Sequence, residues 1–98
     1  MFLTAALVIR GLDGLTEETG VENALGNVCR NCRIRNVFIV RNGTTGIGEG
    51  YGYLEFFSRQ EAEDVVETIR SMDCPLEIDG KEVLVDYSRE AFATVSVF

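Results

Sequence analysis

Histidine is absent from the 98 residues, so the chain has no side chain whose ordinary pKa suits general-base work at neutral pH. Three cysteines without a histidine cannot supply the four ligands of a structural zinc site. An odd cysteine count also does not read as a disulfide framework. Cys29 and Cys32 form a C-x-x-C, but it falls at the end of a predicted helix, not at a helix start, where a reactive thiolate is favoured. The cysteines therefore read as ordinary reduced thiols in a reducing compartment. No apolar run approaches the roughly 18 residues needed to span a bilayer. The apolar opening from Met1 to Ile9 has neither the basic start nor the small-residue cleavage site of a signal peptide. The length fits one domain and leaves no room for a separate catalytic one. Cations are scarce: nine Lys and Arg face sixteen Asp and Glu, for a net charge of −7. That balance forgoes the overall counterion release that drives non-specific nucleic-acid binding. The glycine-rich stretch 43–48 lacks a Gly-Lys-Ser/Thr ending and leads into a strand, so it is no phosphate loop. No catalytic, metal or cofactor site is expected.

What is present is a packed α+β domain, with 46% hydrophobic residues and six Phe. Ala6 to Arg10 reads as a short apolar strand closed by Gly11. Thr16 to about Cys29 reads as a helix, with Val21, Ala24, Leu25 and Val28 at helical spacing and a candidate capping box from Thr19 to Glu22. Gly20 and Gly26 make that helix weak alone, so packing must hold it. Ile34 to Arg41 is a β-branched strand, 42–48 a flexible loop, and Gly50 to Phe57 the next strand. Ser58 and Glu61 open a second helix whose buried stripe is Ala62, Val65, Val66, Ile69 and Met72, and Pro75 stops it. Asp79-Gly80 is a turn, and Val83 to Tyr87 is the last strand.

The order β-α-β-β-α-β predicts a ferredoxin-like two-layer sandwich: a four-stranded antiparallel sheet with two helices on one face. Strand alternation then divides the sheet. Leu7, Ile9, Val37, Ile39, Gly52, Leu54, Phe56, Val83 and Val85 should face the helices. Val8, Arg10, Phe38, Val40, Tyr51, Tyr53, Glu55, Leu84 and Asp86 should lie on the open face. The acids of the two helices, among them Glu17, Glu18, Glu22, Glu61, Glu63, Asp64 and Glu67, should be solvated and turned away from that face. Two tyrosines at i and i+2 stand side by side on one face of a strand, a spacing that suits consecutive unstacked nucleobases.

The segment Glu49-Gly50-Tyr51-Gly52-Tyr53-Leu54-Glu55-Phe56 resembles the eight-residue signature of the RNA recognition motif, matching seven of its eight positions. Leu7-Val8-Ile9-Arg10-Gly11-Leu12 resembles the six-residue companion motif on the first strand, and the likeness runs from about Ala5 to Ser88. The resemblance implies a recognition motif over residues 1–90 followed by a tail over 91–98. It implies that Tyr51 and Tyr53 stack on bases or pack on ribose while Phe56 is core. Two positions depart from the pattern: Val8 replaces an aromatic platform, and Glu49 replaces a phosphate-contacting Lys or Arg. The expected RNA-contacting set is Tyr51, Tyr53, Val8, Arg10, Phe38, Arg41, Lys81, Leu84 and Asp86, with Phe38 partly replacing the lost aromatic. A narrower resemblance links the stretch from Cys74 to Lys81, followed by Val85-Asp86-Tyr87, to recognition motifs of splicing regulators that also carry G-patch and OCRE domains.

Together these readings imply binding of single-stranded RNA in pre-mRNA splicing or other RNA processing. The domain would be monomeric, part of a longer nuclear protein (cytoplasm being the other reducing compartment), with splicing proteins as further partners and no membrane. The alternative is a recognition motif that binds a peptide or partner domain instead of RNA, which the acidic residues would suit. The family's peptide-binding variant carries an Arg-x-Phe after its second helix, and Arg70-Ser71-Met72 does not supply it. Acylphosphatase shares the topology, and Val40-Arg41-Asn42 is similar to its catalytic strand. Its phosphate-cradling loop needs an Arg, however, where Gly11-Leu12-Asp13-Gly14 has an Asp.

Overall fold

A computed structural model of the protein describes residues 6–30 and 33–87. The proposed tail over 91–98, and Cys32 of the C-x-x-C, lie outside the described residues. The elements run β1 (Ala6–Arg10), α1 (Glu18–Val28), β2 (Ile34–Arg41), β3 (Gly48–Phe56), α2 (Arg59–Arg70), β4 (Glu77–Ile78), β5 (Lys81–Glu82) and β6 (Leu84–Tyr87). Four strands form one antiparallel sheet in the order β2-β3-β1-β6, and β4 with β5 makes a separate two-stranded hairpin.

The core lies between one face of that sheet and the two helices. Leu7, Ile9, Leu54 and Phe56, all at most 1% exposed, meet Val21 and Leu25 of α1 and Ala62, Val65 and Val66 of α2. Each fully buried Val, Leu, Ile or Phe contributes about 1.5–3 kcal/mol of hydrophobic stabilisation, which is why the glycine-weakened α1 persists. Every residue assigned to the helix side by alternation is buried there, Val85 partly. The ferredoxin-like sandwich is thus the architecture of the chain.

Differences arise where long-range contacts override local pattern. Thr16 does not start α1: it is 2% exposed, and its hydroxyl donates to Asp79 Oδ2 at 2.7 Å, 63 residues along the chain. The helix opens two residues later, with Glu17 in the cap position and no side-chain cap, so the Thr19–Glu22 box does not form. At α2 the expected cap is present, Ser58 Oγ accepting from the Glu61 amide at 3.2 Å. Met72 departs from the expected stripe and is 36% exposed, because α2 ends at Arg70 and Ser71 caps it. The loop after β2 is hydrogen-bonded throughout: Asn42 Oδ1 accepts from the amides of Thr44 and Thr45, and the Asn42 amide donates to Ile47 O at 2.8 Å. Cys29 is disulfide-bonded, against the expectation of a reduced thiol, while Cys74 is free and exposed.

The Thr16–Asp79 bond ties the start of α1 to the tip of the β4–β5 hairpin, where Asp79 adopts a φ of 53°. Thr16→Val keeps the shape but strands the carboxylate's partner site. The expected loss is about 1–3 kcal/mol of unfolding free energy, measured by urea denaturation. A change within about 0.5 kcal/mol, the range of an ordinary surface substitution, would show that the bond holds nothing together.

Candidate nucleic-acid interface

The sheet face away from the helices carries two rows of side chains set by strand register. Phe38, Tyr53, Val8 and Asp86 stand opposite one another across β2, β3, β1 and β6. Tyr51, Arg10 and Leu84 form the adjacent row. All belong to the face expected from alternation, and Gly52 between the tyrosines points into the core side. The register follows from the strands themselves, since a slip of one residue would exchange Leu54 and Phe56 with the tyrosines.

Exposure grades the rows. Phe38 is 58% exposed and Leu84 75%, while Tyr51 and Tyr53 are half-buried. The tyrosine rings sit 6.0 Å apart at 87°, edge to face, so one ring turns its flat side where the other turns its rim. Accepting two bases in succession requires one ring to rotate. An edge-to-face pair is worth about 0.5–1.5 kcal/mol, less than the roughly 1–3 kcal/mol of one base stacked on a ring, so the rotation is affordable. Val8 is the exception on this face. It lies in the correct row, opposite Tyr53 and Asp86, but is only 6% exposed. Val8 offers no ring on which a base could stack, as its departure from the signature implies.

The cations are placed differently from the sequence expectation. Arg41 donates to both carboxylate oxygens of Glu18, at 2.7 and 2.9 Å, and is drawn toward α1. Lys81 lies in the β4–β5 hairpin, outside the four-stranded sheet. The helix acids expected to be merely solvated do this in part: Glu18 holds Arg41, and Glu61 holds Arg33 at 3.2 Å. Arg70, absent from the expected RNA-contacting set, reaches Asp86 at 3.3 Å and lies 6.0 Å over the Tyr87 ring. Its signal was a lone cation in the last turn of α2, but its partner is 16 residues away. Among the described residues, Arg10 is the cation of the open face without an ion pair. Glu49 and Glu55 are exposed on β3, so local charge does not attract phosphate strongly.

The Arg41 guanidinium holds the Glu18 carboxyl at about 2, well below its ordinary value of 4.5. A depressed carboxylate stabilises the fold above its unfolded pKa, and that contribution fades as pH falls from about 4.5 toward 2. Both side chains are about one-third exposed, so solvent screening keeps the effect small. Carboxyl-detected NMR titration should place the Glu18 midpoint far below its ordinary value of 4.5. A midpoint at that ordinary value would mean that the ion pair does not persist in solution.

No protein-family model matches the chain. RNA-binding protein 6 of Homo sapiens is 41% identical over 51 residues, which is 52% of this chain and 4% of that protein. RNA-binding protein 5 of Xenopus tropicalis is 23% identical over 90 residues, covering 92% of this chain and 11% of that protein. The chain thus spans only a small part of the curated relatives it matches. Among solved structures, the Sex-lethal RNA recognition domains 1 and 2 of Drosophila melanogaster superpose with a TM-score of 0.68 at 17% identity, over 89% of this chain and 51% of that one. These proteins are named for RNA recognition and not for a catalysed reaction, and the acylphosphatase reading is dropped. With its element order, sheet topology and a tyrosine-bearing sheet face opposite the helices, the chain has the fold of an RNA recognition motif.

Proposed function

We propose that the domain binds single-stranded RNA on the open sheet face, with Tyr51 and Tyr53 as stacking platforms and Phe38 as a third. The observation that carries this reading is the placement of three aromatic rings on the face opposite the helices, one of them 58% exposed. Exposed aromatic surface of this kind ordinarily has a partner. The names of the relatives support RNA as that partner. The narrower resemblance of residues 74–81 to recognition motifs of splicing regulators favours a role in pre-mRNA splicing or related RNA processing in the nucleus. The domain acts as a monomeric part of a longer protein whose other segments contact further processing factors.

The charge layout predicts an uncommon binding signature. A single-strand contact releases about 0.7 counterion per neutralised phosphate, and among the described residues the face offers one cation without an ion pair, Arg10. Fluorescence anisotropy with a labelled pool of short RNAs, repeated across salt concentrations, should therefore give a log–log slope close to about −0.7. Stacking then supplies most of the affinity. A slope of about −3 or steeper would place several phosphates against cations elsewhere and count against the open face. If only peptides bind, the interaction surface belongs to protein recognition instead.

A further inference from the structure

The open face does not end at β6. A cleft of about 550 Å³ turns around that edge, between β6 and the segment that follows α2. Its floor includes Val8, and Arg10 and Leu84 form the lip toward the tyrosines. Met72, Cys74 and Pro75 form the far wall. The departure noted at Val8 acquires a physical meaning here: an aromatic ring at that position would occupy the floor, whereas the sunken valine leaves a depression beside the tyrosine face.

We infer that this cleft is a subsite for one unstacked nucleotide of the RNA that crosses Tyr51 and Tyr53; the inference rests on the RNA-binding reading and extends it. Three observations favour a nucleotide over a peptide. The cleft is continuous with the aromatic face through Val8 and Arg10, so a strand lying on Tyr51 has a direct path into it. Its volume lies within the range of small-ligand pockets. Its lip carries Arg10, which no acid neutralises among the described residues and which therefore suits the phosphate preceding the inserted base. The exposed Leu84 and Met72 provide apolar walls for the base. The cleft is also lined by Asp73 and by the Arg70–Asp86 pair, whose side chains are 58% and 60% exposed, so the pair yields readily to an incoming base.

Cys74 gives a direct readout, since it lines the cleft and is a free, exposed thiol. The full chain is treated with N-ethylmaleimide with and without a saturating pool of short random single-stranded RNAs, and the adduct on the Cys74 peptide is followed by mass spectrometry. RNA should slow alkylation of Cys74 severalfold. Met72→Glu, a change at an exposed position past the end of α2, should restore the free-protein rate and weaken RNA binding about tenfold, the worth of one lost base contact. Two failures are distinguishable. Unchanged alkylation at saturation, with the tyrosine resonances still shifting, overturns the cleft and leaves the sheet-face reading standing. Absence of any RNA-induced shift overturns both. Protection of Cys74 by peptides but not by RNA also overturns the assignment.

Discussion

Tyr51→Ala combined with Tyr53→Ala is expected to leave the domain folded and to weaken RNA binding by about 2–6 kcal/mol, at least about 30-fold in Kd. The size follows from stacking: two platforms, each worth about 1–3 kcal/mol, on a face where charge contributes little. Folding should survive because the rings are only half-buried and the core beneath the other face, built on Leu7, Ile9, Leu54 and Phe56, is untouched. Single substitutions should each show part of the loss. Their sum need not equal the double effect, since the rings touch edge to face at 6.0 Å and such neighbours couple. Anisotropy measures the affinity, and circular dichroism verifies the fold. A double variant that binds within about threefold of the parent would remove the platforms from the account, since even one stack exceeds that.

Gly52→Ala should have the largest effect on stability. A Cβ at this position would collide with the Phe38 carbonyl and stand 3.1 Å from Ile39 Cα, so β2 and β3 must part. Backbone cannot give way as a flexible side chain can. The expected cost is about 3 kcal/mol, the upper end for overpacking, or a fall in Tm of roughly 12–24 °C for a domain of this size. Gly52 also lies between the two tyrosines in the strand, so parting the strands should disturb Tyr51 and Tyr53 as well. Gly26→Ala provides the opposite sign: nothing lies within 4 Å of its added Cβ in α1, and alanine favours helix by up to about 1 kcal/mol. If Gly52→Ala melts within a few degrees of the parent, the strand spacing is looser than described.

The sequence shows the architecture more clearly than the site because strands and helices here announce themselves by periodicity. β1 and β2 begin and end where the apolar pattern does, and every residue assigned to the helix side is buried, Val85 partly. Thr16 looks like a helix-opening residue, but Asp79, remote in sequence, takes its hydroxyl and α1 opens at Glu18. The β4–β5 hairpin was recognised only as its Asp79-Gly80 turn, since strands of two residues carry no period. Alternation also puts Val8 on the correct face but cannot reveal its depth, which depends on contacts from outside its own strand. Cations were the least legible. Whether an arginine is available depends on acids from other elements, and Glu18 takes Arg41 as Asp86 takes Arg70. The open face is therefore poorer in usable positive charge than a count of nearby arginines suggests.

Heteronuclear NMR of the labelled chain, titrated with a pool of short single-stranded RNAs, addresses the assignment of function most directly. The amides of Arg10, Phe38, Tyr51 and Tyr53, together with those of Leu84 and Asp86, should shift in a saturable manner while the outer faces of α1 and α2 remain still. Shifts confined to the helices, or none at all at saturating RNA, would contradict recognition by the tyrosine-bearing face.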